Sequence, residues 1–217
     1  MMRVVFAVTG LAASLLLACA AQTRDMATPP ASSGGVAVPV QPSTHQDHSM
    51  TSASQGGELL PGARDVAQRL LTFLSEAQFT TDLAQENVEK HMEVTLGPDP
   101  SNGEGWTVYR SPTLGQGWNY GVQQVPARPP LKAGFSFWFE HADRTVSASP
   151  VCALPLDKLR STLTSHGWTE RTVPSEIGSV LAIEFAKREL VVTLTPRDIA
   201  FSGDTKCVLA LQISGGH

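Results

Sequence analysis

Three cysteines and six histidines are the side chains of this 217-residue sequence best suited to covalent or metal chemistry. Cys152 and Cys207 stand too far apart for a Cys-x-x-Cys redox pair, and no third ligand type clusters near either of them. His45-Gln46-Asp47-His48 is the one metal-like word, and two imidazoles three apart in polar filler make a weak site. His91 reads as a boundary residue beside Met92, and His141 and His166 sit at a turn and at a helix end. A nucleophile elbow needs Gly-x-Ser-x-Gly, a lactamase-type serine needs Ser-x-x-Lys, a zincin needs His-Glu-x-x-His, and the chain carries none of the three. A carboxylate pair for glycoside chemistry could be picked only arbitrarily from Glu104, Glu140, Asp143 and Glu184. The residues read as those of a protein that is not an enzyme, with no metal and no cofactor.

Recognition is the other chemistry on offer. Residues 97–134 hold seven glycines and six prolines, with Gly103-Glu104-Gly105-Trp106 and Gly115-Gln116-Gly117-Trp118-Asn119-Tyr120-Gly121 as the most distinctive words. The glycines do not cradle phosphate, because no Lys-Ser/Thr follows and the context is not strand then helix. Trp106, Tyr109, Trp118 and Tyr120 therefore have two readings. They form part of a partner surface, where large rings bring area at low entropic cost, or they anchor a long loop over a sheet. Glu86 and Glu89 fall on the polar side of an acidic helix and would make an electrostatic rim to such a surface. A solvated helix face is the simpler account of the same charges. Sixteen Lys and Arg against twenty Asp and Glu leave a net charge of −4, which excludes the basic field a nucleic-acid partner would need.

The N-terminus sets the address. Met1-Met2-Arg3 precedes an apolar run from Val4 to Ala18, which as a helix covers about 22 Å, short of the ~30 Å hydrocarbon core. That is the pattern of a signal segment. A plain secretory peptide would be cut at an Ala-x-Ala-like site around residues 18–21. Leu15-Leu16-Leu17-Ala18-Cys19 resembles the lipobox of bacterial lipoproteins, with Leu16, Ala18 and Cys19 on its defining positions. The resemblance covers residues 1–19 and implies a diacylglyceryl group on Cys19 with cleavage before it. With Ala20 following the cysteine, it also implies sorting to the outer membrane, the soluble part facing the periplasm. Cys152 and Cys207 are then an even pair in an oxidising compartment, either bridged or two buried thiols. A bridge over about 55 residues would be worth about 4 kcal/mol on chain-entropy grounds.

Residues 19–60 read as the lipidated cysteine and a flexible tether: from residue 20 onward, 18 of 41 residues are Pro, Ser, Thr or Gly, and none is aromatic. Such a stretch cannot bury enough apolar surface to offset its own ordering. Residues 61–217 read as one α+β domain, an antiparallel sheet with helices packed against a face. Val66, Leu70, Phe73, Leu74 and Ala77 keep helical spacing, and a second helix follows Thr80-Thr81 with Leu83, Ala84, Val88 and Met92 on its apolar side. Phe135, Phe137 and Phe139 alternate with Ser136, Trp138 and Glu140, the period of a half-buried strand. Residues 145–151 are expected to be its hairpin mate. A helix follows from Pro155 to Gly167, then strands over 168–173, 180–186, 189–195 and 206–213. A small domain on a lipid and a long leash is most economically a binding protein. By architecture alone it fits an immunity protein that inhibits a toxic effector aimed at the periplasm, an accessory subunit of an outer-membrane or secretion complex, or a binder of cell wall or a small ligand.

Overall fold

Pro61 lacks the N–H that a helix cannot satisfy in its first turn, and it starts α1 (Pro61–Glu76) in the computed structural model, which describes residues 58–215 except 103. Cys19, His45, His48 and all but the last three residues of the tether lie outside the described residues. The fold takes hold slightly earlier than the expected boundary: the Leu60 amide donates to Pro150 O at 2.8 Å, and Leu59 and Leu60 pack on the core. Along α1 the buried residues are Ala63, Val66, Ala67, Leu70, Leu71, Phe73 and Leu74, one apolar stripe. A 3-10 turn (Thr80–Leu83) follows, with the Asp82 carboxylate accepting the amides of Gln78 and Phe79 at 2.8 and 2.9 Å. Next comes α2 (Gln85–Met92), burying Val88 and Met92 and stopped by Glu93 in the left-handed region at φ 52°. Ala84, expected on the apolar side, is exposed at the turn between them.

Four strands then run β1 (Gly97–Pro98), β2 (Thr107–Arg110), β3 (Trp118–Val125) and β4 (Gly134–His141). After α3 (Leu156–Ser165) come β5 (Thr169–Pro174), β6 (Val180–Lys187) and β7 (Leu190–Leu194). A short hairpin of β8 (Ile199–Ser202) and β9 (Thr205–Val208) precedes β10 (Ala210–Gly215). The main sheet has the order β1-β2-β3-β4-β10-β7-β6-β5, and its pairings are all antiparallel. The domain is α+β, as the sequence predicts. Each half is a helical segment followed by an antiparallel meander, β2-β3-β4 and β5-β6-β7, and the two meanders meet across β10. Trp168 ties the halves together, its buried indole N–H donating to Leu74 O on α1 at 3.1 Å.

Two sequence expectations are corrected. Residues 145–151 are not a strand: a turn leads to a 3-10 segment (Ser149–Val151), and both edges of β4 are taken by β3 and β10. The run 206–213 is two strands, broken at Leu209, whose amide turns away to Asp198 O at 2.7 Å. The Cys152–Cys207 disulfide is present, with Cα atoms 5.2 Å apart. It joins the segment leading into α3 to β9 in the small hairpin, beside the Pro155–Cys207 bridge.

The pleat separates two faces. Val122, Gln124, Phe135, Phe137, Leu211, Ile213, Val192 and Phe185 point to one side and join the helical stripes in a common buried layer, with Phe73 and Phe135 rings 5.1 Å apart. Gln124 is the one buried polar residue there among those described, and it donates to Leu83 O at 3.2 Å. The other face carries a continuous row across seven strands, from Val108 through Gln123, Ser136, Gln212, Thr193 and Glu184 to Arg171. No residue of that row is buried. One side of the sheet thus lies beneath three helices, and the other is open.

Candidate binding surface

Two of the four rings expected to carry a partner surface lie inside. Strand alternation turns Trp118 and Tyr120 to the helix side, where they are 4% and 6% exposed. Tyr120 packs against Tyr109 at 5.6 Å and Phe137 at 6.2 Å. Burial, with Tyr109 alongside, pushes its hydroxyl up to about 12. Trp106 and Tyr109 are half-buried. Of the two reasons for rings among glycines, anchoring holds for Trp118 and Tyr120, and they are withdrawn as outward contacts. Glu86 is exposed, but Glu89 is occupied: it accepts the Leu96 amide at 2.8 Å and the Gln85 amide group at 3.0 Å. Those bonds, Gln85 first, hold its carboxyl below the ordinary value. It closes the turn after α2 and is not a loose rim charge. The four aromatics and the two acids do not form one patch.

The open face offers a different group. Trp138 stands opposite Gly121 across β3 and β4, and a Cβ on Gly121 would come 2.1 Å from the indole Cζ2. Glycine is required here for space, since the ring lies over its backbone. The indole N–H donates to Glu140 Oε2 at 3.0 Å, and Arg110 donates to both oxygens of the same carboxylate at 2.8 and 2.9 Å. The Arg110 guanidinium carbon lies 5.5 Å from the Trp138 ring centroid. Three side chains from β2 and β4 are thereby fixed in one arrangement before anything binds. The alternation of Trp138 and Glu140 with the buried phenylalanines already places them outward in the sequence. What the sequence lacks is the pairing that brings Arg110 and Gly121 beside them.

Trp138 also borders a cleft of about 700 Å³, lined by His141 and residues 143–148 and by Arg197, Asp198, Ala200 and Phe201. His141 helps shape this lining, its two ring nitrogens lying 2.8 and 3.1 Å from the carbonyls of Asp143 and Gln116. A Cβ on Gly117, at φ 78°, would strike that imidazole at 2.6 Å, so the turn needs glycine on both counts. Both imidazole nitrogens serve the loop. Asp143 accepts the amide and hydroxyl of Thr145, which hold its carboxyl below the ordinary range. Among the described residues no group of three His, Cys, Asp or Glu could hold a metal ion. The arrangement is one of aromatic area and fixed hydrogen-bonding groups, suited to binding. Comparison with protein-family models, with curated proteins and with solved structures finds no match.

Proposed function

We propose that this chain is an envelope lipoprotein, held to the outer membrane through Cys19, whose periplasmic domain works without catalysis by binding another protein. It serves either as an immunity protein that inhibits a toxic effector or as an accessory subunit of an envelope complex. The observation that carries the binding role is the Trp138–Arg110–Glu140 cluster on the uncovered face of the sheet. A wet face alone is ordinary for an antiparallel sheet. A tryptophan and an arginine locked together on that face are different, because these types dominate interface energetics and pre-ordering lowers the entropy lost on association. Cys19 within its lipobox-like word and the disulfide are both what an exported chain would carry.

A photo-crosslinking residue placed at Gln212, exposed on the open face, and at Gln68, exposed on the outer side of α1, tests the reading in the protein's own cells. A discrete protein adduct from position 212 and none from position 68 is expected, and Trp138→Ala should diminish it. Equal labelling from both positions, or none from either, overturns the role. The identity of the adduct, a secreted toxin or an envelope component, separates the two jobs.

A further inference from the structure

The hydrogen-bonding groups in the walls of the 700 Å³ cleft are unequally engaged. Its carboxylates are taken. Glu140 is held by Trp138 and Arg110, Asp143 by Thr145, and Asp198 by the amide and hydroxyl of Thr195, each at 2.7 Å. Its donors are not. Arg144 is exposed and makes no bond or ion pair among the described residues. The Arg197 side chain is 84% exposed and reaches only Asp198, at 3.9 Å. The unused capacity the cleft can offer is therefore that of two exposed guanidiniums, whose fork matches a carboxylate. Apolar area lines the same cleft: Val146 and Phe201 are 39% and 68% exposed. Counting Arg110, three guanidiniums face three carboxylates around the cleft, so an incoming anion meets no excess negative charge.

We propose that this cleft receives an acidic segment of the partner protein, its carboxylate on Arg144 and Arg197 and a bulky apolar neighbour against Val146 and Phe201. The inference rests on the protein-binding reading above and narrows the partner's chemistry. It requires that free donors and exposed apolar area act together, so neither charge alone nor hydrophobicity alone should suffice.

The test titrates the full chain, in detergent micelles, with the blocked tetrapeptide Glu-Phe-Asp-Leu and with its uncharged twin Gln-Phe-Asn-Leu, reading the indole N–H signals of Trp118 and Trp138. The acidic peptide should bind about tenfold more tightly than the twin, as loss of a charge-assisted guanidinium pair implies. Its affinity should fall with added salt. Arg144→Gln with Arg197→Gln should erase the difference while leaving the melting temperature unchanged, because both side chains are exposed. Equal binding of the twin, or a difference that survives the double substitution, overturns the assignment. A stronger, arginine-dependent response to muramyl dipeptide gives the cleft to cell-wall fragments and overturns it too. The two readings fail separately. A photo-crosslinked partner held at full strength by the double variant removes only the acidic segment. Peptide binding with no partner adduct from position 212 removes the open-face role.

Discussion

The hydroxyl of Tyr120 is held at about 12, above an ordinary tyrosine near 10. Its ionisation is opposed by burial in the folded state and free in the unfolded one. The stability linked to this group is whole below pH ~10 and is lost as the pH rises from ~10 to ~12. Denaturant titrations at successive alkaline pH values should show that fall, and Tyr120→Phe should flatten it in this window. Trp118 makes a separate prediction. It is a core residue whose ring lies tilted against His141, centroids 5.2 Å apart, so Trp118→Ala should cost about 3–5 kcal/mol through the cavity it leaves. In the folded fraction, peptide binding should be weakened less than by the double arginine variant. At Gly121 the sign is also fixed: Gly121→Ala must displace the Trp138 ring. The overpacking should lower stability by about 1–3 kcal/mol and blue-shift or broaden the indole signal. How much of this was legible differs by residue. The outward phase of Trp138 could be read from its alternation with Phe135, Phe137 and Phe139. The inward phase of Trp118 and Tyr120 could not, because the glycines around them mark turns and close approach without saying which face a ring will take. Glu89 was misread as a rim charge because a carboxylate that caps a later turn has no local signature.

Among elements, the disulfide carries the sharpest expectation. Cys152 and Cys207 fasten the start of α3 to β9, across a sequence separation of 55. Reduction should lower stability by about 2–4 kcal/mol, with the mechanism in dispute but the direction not. The main sheet should survive it, because β9 pairs with β8, apart from the single Pro155–Cys207 bridge, and lies outside the eight-stranded sheet. Amide exchange in reduced protein should therefore accelerate over 199–208 first and over β4 and β10 last. The helices and most strands were visible as periodicities of 3.6 and 2. The strand expected over 145–151 was not real. Pro150 has no N–H to give a ladder, and the Asp143–Thr145 bonds bend the chain before it can extend. The continuous apolar reading of 206–213 hid the break at Leu209, since a residue that leaves one pairing for another keeps the same composition.

For the whole molecule, the lipid reading and the folded domain can be examined apart. Mass spectrometry of the mature N-terminus should find acylated Cys19, and Cys19→Ala should leave the precursor uncut or mislocalised. An unmodified chain starting at Gln22 would replace the anchor with simple secretion. Shortening the chain to Leu59 should leave the melting temperature of the folded domain unchanged, because Leu59 and Leu60 are the first of the described residues to pack on its core. A loss of several kcal/mol would show that earlier residues contribute to the core.

The position of β10 has a consequence for how the domain closes. Residues 210–215 fill the middle of the sheet, hydrogen-bonded to β4 from the first half and β7 from the second. This strand, the last in chain order among the described residues, is the one without which the two meanders have no shared edge. Until it is available, each half leaves a bare strand edge and an apolar layer with no continuous partner. Contacts of this kind are long in sequence and slow to form. The two meanders therefore stay unjoined until β10 is seated between them, and the sheet closes as one unit only when that strand is in place.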